Sequence, residues 1–305
     1  GESWDNATFP TSHYLYGVGF GNNTFVAVGE LGIIFRSTDN GSSWDNATSP
    51  TATNLWGVTF GNNTFVGVGE NGNIVRSTDN GSSWDNATSP TANDLYNVGF
   101  GNNTFVVTGS AGNILRSTNN GTTWDNATSP TGVHLHGVTF GNNTFVAVGS
   151  WGTIVISTDN GSNFSTVTSP ITSSHLKGVT FGNNTFVGVM LNGNIIRSTD
   201  NGSSWDNATS PTANDLEDVG FGNNTFVGVG QSGSIVRSED DGSSFDNVTS
   251  PSTAYFYGVG FGNNTFVGVA TGGYIIKSTD NGTNWENATS AAVPSISLFG
   301  VGFQE

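Results

Sequence analysis

Cysteine is absent from all 305 residues, which excludes a disulfide framework and any thiolate-held metal. Bases are nearly as scarce: seven Lys plus Arg stand against 23 Asp plus Glu, for a formal charge of −16. That balance disfavours nucleic acid and anionic membrane surfaces as partners. Apolar runs are short and broken by Gly, Asn or Thr, so no membrane-inserted segment is expected. The opening at Gly1 carries no basic stretch followed by an apolar one. It leaves two expectations: a signal peptide already removed, or numbering that begins at the first ordered residue.

What is present is a repeat. Trp4, Trp44, Trp84, Trp124, Phe164, Trp205, Phe245 and Trp285 mark one position at a spacing of 40, with a single step of 41. Within the unit that begins at Leu55, four strands are predicted: A, Leu55 to Phe60; B, Thr64 to Val68; C, Asn73 to Ser77; and D, Ser83 to Thr88. Gly61-Asn62-Asn63 and Asp79-Asn80-Gly81 supply residues that tolerate positive φ in tight turns. Strands A and B are apolar or small on both faces, as strands between neighbouring sheets must be, whereas D is polar after its Trp. The order from A inside to D outside is that of a β-propeller blade. The fold class is therefore all-β, a seven-bladed β-propeller in a single domain over 1–305. Full blades run from Leu15 to Thr289, with a surplus D strand at Ser3 to Thr8 and a surplus A strand at Leu298 to Phe303.

The motif Ser77-Thr78-Asp79-Asn80-Gly81-Ser82-Ser83-Trp84 resembles the Asp-box, or BNR repeat, of sialidases, sortilin-type receptors and photosystem-assembly-factor-like propellers. The resemblance implies that the box forms the C–D turn, that its Asp ties the turn's backbone together, and that its aromatic packs between blades. Seven copies occur; Asn119 replaces the Asp in the third and Phe164 the Trp in the fourth. The box is a folding device, so the resemblance bears on fold rather than activity.

Sequons of the form N-x-S/T occur 21 times in three main classes. The N-A-T class comprises Asn6, Asn46, Asn86, Asn126, Asn207, Asn247 and Asn287, on the polar outer strand. The N-N-T class comprises Asn22, Asn62, Asn102, Asn142, Asn183, Asn223 and Asn263, in the A–B turn. Glycans are expected on both classes, and least on the N-G-S/T asparagines that the Asp-box turn itself requires.

Copies of the unit diverge on the face formed by the D–A and B–C connections. The residue opening strand A varies most: Tyr16, Trp56, Tyr96, His136, Lys177, Glu217, Tyr257. Where copies of one unit differ, fold demands are weak and a partner can be read, so these seven form a candidate binding face. The competing reading is neutral drift in loops. Catalytic sets are not found. Arg36, Arg76, Arg116, Arg197 and Arg237 repeat one strand-C position and read as solvated edge charges rather than a converging triad. Asp215, Glu217 and Asp218 are carboxylates without a distinguishing arrangement. His13, His134, His136 and His175 lack metal-ligand spacing beyond His134-x-His136, and Glu239-Asp240-Asp241 is weak as a cation site.

The first functional expectation is a non-enzymatic, heavily N-glycosylated extracellular or cell-surface structural protein. It would assemble with copies of itself, head to tail, through the unmatched terminal strands into a filament or surface layer; the competing reading of those strands is that they cap the seam of the ring, or that one replaces its counterpart. The alternative is a lectin or adhesion propeller that binds glycans or proteins on the divergent face; a sialidase-like hydrolase comes third. No cofactor is expected apart from covalent N-glycans.

Overall fold

The computed structural model describes residues 13–288 and 297–302. Among them lie seven four-stranded antiparallel sheets, each ordered A-B-C-D as in the chain. The inner strands are Leu15–Gly21, Leu55–Gly61, Leu95–Gly101, Leu135–Gly141, Leu176–Gly182, Leu216–Gly222 and Phe256–Gly262. Each of the first six packs on the next. Strands B, such as Thr64–Gly69, are buried along their whole length, whereas the outer strand Asp85–Ala87 is largely exposed. The expected strands are thus present, with D shorter than the sequence implies.

The turn residues do what their chemistry allows. Asn62 and Asn63 take φ of 48° and 58°, the paired left-handed geometry of a two-residue hairpin turn. In the Asp-box, Asp79 accepts from the Ser77 hydroxyl at 2.8 Å, from the Ser83 N–H at 2.9 Å and from the Ser83 hydroxyl at 2.6 Å. Trp84 Nε1 then donates to the Gly81 carbonyl at 3.0 Å, which aims the indole between blades. There it joins Leu55, Phe65 and Val75 of its own blade against Val26, Val28 and Ile34 of the preceding one. Each large side chain buried in this way contributes about 2–3 kcal/mol. Gly61 ends its strand because a Cβ there would stand 2.3 Å from the Phe100 ring of the next blade.

The five arginines are not solvated edge charges. Arg36, Arg76, Arg116 and Arg237 are half-buried, and each donates through Nε to a carbonyl in the next blade's box, that of Asn80, Asn120, Asn160 or Asn281, at 2.6–2.8 Å. Arg197 reaches the Asp241 carbonyl at 3.3 Å. They are inter-blade ties, and their regular spacing follows from that duty.

The chain ends also depart from expectation. Six apolar clusters join consecutive blades from the first to the seventh. Between the seventh inner strand and the first lies the segment 297–302. A Cβ on Gly17 would meet the Trp56 carbonyl oxygen at 2.9 Å, and one on Gly57 that of Tyr96 at 3.2 Å. One on Gly258 would likewise meet Phe299 at 2.8 Å, and one on Gly300 would meet Tyr16 at 3.4 Å. Leu298–Gly302 therefore occupies an eighth inner place between the last blade and the first. This segment, expected as a strand that either caps the seam or reaches a neighbouring molecule, carries no strand pairing among the described residues and lies inside its own ring. Its counterpart at Ser3 to Thr8 lies outside the described residues.

Candidate functional site

Every inner strand opens with the same irregularity. Leu55 pairs with Gly69 and Gly57 with Val68, so Trp56 has no residue opposite it. Tyr16, Tyr96, His136, Lys177, Glu217 and Tyr257 are the corresponding extra residues of the other blades. A β-bulge frees its residue from ladder pairing and re-aims the side chain, so the seven most divergent positions are also the seven bulged ones. All seven are half-buried.

The structure brings most of these side chains into contact. Trp56 and Tyr96 lie 5.4 Å apart by ring centroid, Tyr96 and His136 5.9 Å, and His136 and His175 6.5 Å. Trp151 extends this arc at 4.7 Å from His175. A second arc runs Tyr255–Tyr257 at 5.0 Å, Tyr257–Phe299 at 4.5 Å, Phe299–Tyr16 at 5.4 Å and Tyr16–Tyr14 at 6.5 Å. Lys177 and Glu217, paired at 3.4 Å, lie on the rim between the arcs, and Glu217 also accepts from the Tyr255 hydroxyl. Phe299 is the eighth member of the rim, missed as a site residue although Leu298-Phe299-Gly300 repeats the register of Leu55-Trp56-Gly57.

Trp151 was missed as well. It sits at the centre of a B–C turn with φ of 58°, where other blades have Leu31, Asn71, Ala111, Asn192, Ser232 or Gly272, and it is 59 % exposed. A bulky residue held left-handed carries backbone strain, and the packing it gains is the ring contact with His175. The available signal was its being the one Trp outside both the boxes and the bulges.

Part of the loop divergence has a structural cause. Asn54, Asp94, His175 and Asp215 each accept the N–H of the left-handed turn residue in the preceding blade, Leu31, Asn71, Trp151 or Asn192, at 2.8–3.3 Å. His175 must therefore present an unprotonated Nδ1 to Trp151. His136 is neutral, because burial and then Lys177 push it down to about 4. Burial, followed by nearby carboxylates, raises the hydroxyls of Tyr16 and Tyr96. Asp218 stands where most blades have Gly. Its carboxylate accepts the N–H of Val219 at 2.9 Å and of Val259 at 3.0 Å, yet burial raises it to about 6. These bonds occupy the carboxylates once considered for hydrolysis. Among the described residues no group of three or more His, Asp or Glu could hold a metal ion.

The sequon asparagines divide by duty. In the N-N-T class, Asn22, Asn62, Asn142, Asn183 and Asn223 donate amide N–H bonds across blades, for example Asn62 to Asn120 Oδ1 at 3.2 Å. Asn102 and Asn263 share their exposed left-handed turn position. Asn46, Asn86, Asn126, Asn207, Asn247 and Asn287 are exposed on the outer strands, and Asn6 lies outside the described residues.

With this geometry in hand, comparison is informative. The sequence pattern of the photosynthesis system II assembly factor YCF48 matches residues 1–272. The chain belongs to that family. Solved YCF48 structures resemble it in fold. One, titled YCF48 bound to D1 peptide, has 18 % identity and a TM-score of 0.71 over 88 % of this chain and 92 % of that one. YCF48 from Cyanidioschyzon merolae has 18 % identity and a TM-score of 0.69 over 90 % and 98 %. The computationally designed Ika8 protein has 14 % identity and a TM-score of 0.77 over 97 % and 92 %. No curated protein matches the chain in sequence. The expectation of an extracellular self-assembling filament is overturned. The family model is that of an assembly factor, one solved structure is titled YCF48 bound to D1 peptide, and the terminal segment through which polymerisation was expected lies in the eighth inner place.

Proposed function

We propose that this YCF48-family chain is a non-catalytic binding propeller that holds a protein segment against its divergent rim. The carrying observation is that the bulged positions, the ones the ladder leaves unconstrained, are where eight copies of one register differ and where aromatic rings collect. Rings such as Trp56, Tyr96 and Tyr257 offer contact area at low conformational cost, the usual anchor chemistry of protein recognition. The D1 peptide held by a solved relative supports this use of the fold.

The test is selection of a displayed random peptide library on the purified protein, with the winners re-measured on variants. Binding is expected to weaken at least tenfold in Trp56→Ala and in Trp151→Ala, and to persist in Ser82→Ala on the opposite face. Failure to enrich any peptide, or winners indifferent to both tryptophans, would refute the proposal. Selective binding to arrayed oligosaccharides instead of peptides would turn the reading to a lectin.

A further inference from the structure

The rim is not chemically uniform, and its asymmetry selects a partner. Over the first three blades the aromatic residues Tyr16, Trp56 and Tyr96 stand beside the carboxylates Glu30, Glu70 and Asp94. The backbone places them there. Glu30 N–H donates to the Tyr14 carbonyl at 2.9 Å and Glu70 N–H to the Asn54 carbonyl at 3.0 Å, so each acid opens a turn lying against the start of an inner strand. Asp94 immediately precedes Leu95 and Tyr96. Glu30 and Glu70 both act electrostatically on Tyr16, and Asp94 on Tyr96. Each acid is steadied through one oxygen, Glu30 Oε2 by His13 at 3.2 Å, Glu70 Oε1 by the Asn54 amide at 2.7 Å and Asp94 Oδ1 by the Asn71 N–H at 3.0 Å, and a partner's cation would use the other. Beyond the histidine sector, Asp215 and Glu217 flank Tyr255 in the same way.

The only Lys or Arg on this face among the described residues is Lys177, and it is paired with Glu217 at 3.4 Å. The arginines of the ring are committed to carbonyls of the next blade. An aromatic face with a carboxylate beside it is the pairing that recognises a guanidinium or ammonium group: the ring takes the cation's flat or methylene face and the carboxylate its N–H donors. The formal charge of −16 adds long-range attraction of the same sign.

Resting on the reading of the rim as a peptide-binding surface, we infer that its partner is an extended basic segment. Arg or Lys side chains of that segment would lie on Tyr16, Trp56 and Tyr96 and pair with Glu30, Glu70 and Asp94. The histidine sector, with His136 held neutral between Tyr96 and Lys177, would take the uncharged part of the same segment.

Three fluorescently labelled flexible Gly/Ser peptides decide this by anisotropy at low and physiological salt: one carrying several Arg, one with Glu at those positions, and one with Gln. The Arg peptide is expected to bind, with affinity falling as salt rises and the Glu peptide inert. Glu30→Gln combined with Glu70→Gln should weaken it about tenfold, and Trp56→Ala by a similar factor. Asp85→Asn combined with Asp125→Asn removes the same charge from the exposed outer strands and should leave binding within about twofold. Equal weakening by that control pair would mean diffuse attraction and would overturn the inference. So would preference for the Glu or Gln peptide; if that preference is still lost in Trp56→Ala, the rim remains a peptide site and only the basic partner falls. Library winners and defined peptides all indifferent to Trp56→Ala would bring down both.

Discussion

Asp218 offers a stringent test of the physical account, because one carboxylate is half-buried where the repeat otherwise needs none. Its equivalents are Gly17, Gly57, Asn97, Gly137, Gly178 and Gly258. Burial raises it from 3.8 to about 6, against the pull of two backbone N–H bonds. An acid whose folded value is raised holds its proton more tightly in the folded state. Below 3.8 both states are protonated and there is no penalty; between 3.8 and about 6 stability falls as pH rises; above about 6 the penalty is complete. At about 1.4 kcal/mol per pH unit the ceiling is about 3 kcal/mol, and the residue's remaining solvent contact lowers the expected effect to about 1–2 kcal/mol. Asp218→Asn should remove it, since Asn97 shows that an amide fits this place and an amide oxygen can still accept the Val259 N–H. Urea unfolding across pH should show the variant more stable than the parent at neutral pH, with the two curves converging as pH drops toward 4. Asp39 and Asp159 lose stability only as pH falls toward their values of about 2, so they leave this window clear. A variant that is less stable at neutral pH, or a gap that does not close on acidification, would refute the reasoning.

Trp84→Ala should cost about 3–5 kcal/mol by thermal or urea unfolding, whereas Trp44→Ala, half-buried in the first blade, should cost clearly less. Arg76→Met keeps the aliphatic stem but loses the 2.6 Å bond to the Asn120 carbonyl, and should lower stability by about 1–2 kcal/mol with no change in peptide binding at the rim. Phe299→Ala should destabilise the fold and raise hydrogen exchange in the first and seventh inner strands first, since the ring touches both Tyr16 and Tyr257. Expression in a eukaryotic secretory host should give an intact mass above 31.6 kDa, with sugar mapped to the N-A-T asparagines in preference to the N-N-T and N-G-S/T ones.

The blade was legible because its signals are local and repeated. Paired Asn residues dictate a hairpin turn, and an Asp flanked by Ser hydroxyls dictates the box. The divergent bulge positions were visible as variation, although the bulge itself was not: it depends on how Leu55 and Gly57 pair with Gly69 and Val68, which no spacing along the chain states. The arginines were misread for a related reason. A half-buried bond to a carbonyl 44 residues onward leaves the same pattern as a row of solvated charges. The two readings of the terminal segment stayed open because counting strands does not reveal how many inner places the ring contains; the close approaches of Gly258 and Gly300 do.

A repeat protein of this kind has to reconcile sameness with recognition. Interfaces between blades restrain the repeat, because Gly61 fits the Phe100 ring of the next blade, Arg76 a carbonyl of the next box, and the box Trp a pocket shared with the preceding blade. Substituting any one of them strains two blades at once. The bulged residue escapes that coupling: it lies on the ring's mouth, pairs with nothing opposite, and meets its neighbours only through side chains. Change there costs little stability, so chemistry can accumulate there as rings, imidazoles and one ion pair while the rest of the unit stays fixed. The eighth inner segment follows the same logic, since Phe299 brings a further ring to the rim without the expense of a further sheet. On the proposed reading this freedom at the mouth is what a partner would use, and the acids that the first three blades place beside their rings would set the charge it has to carry.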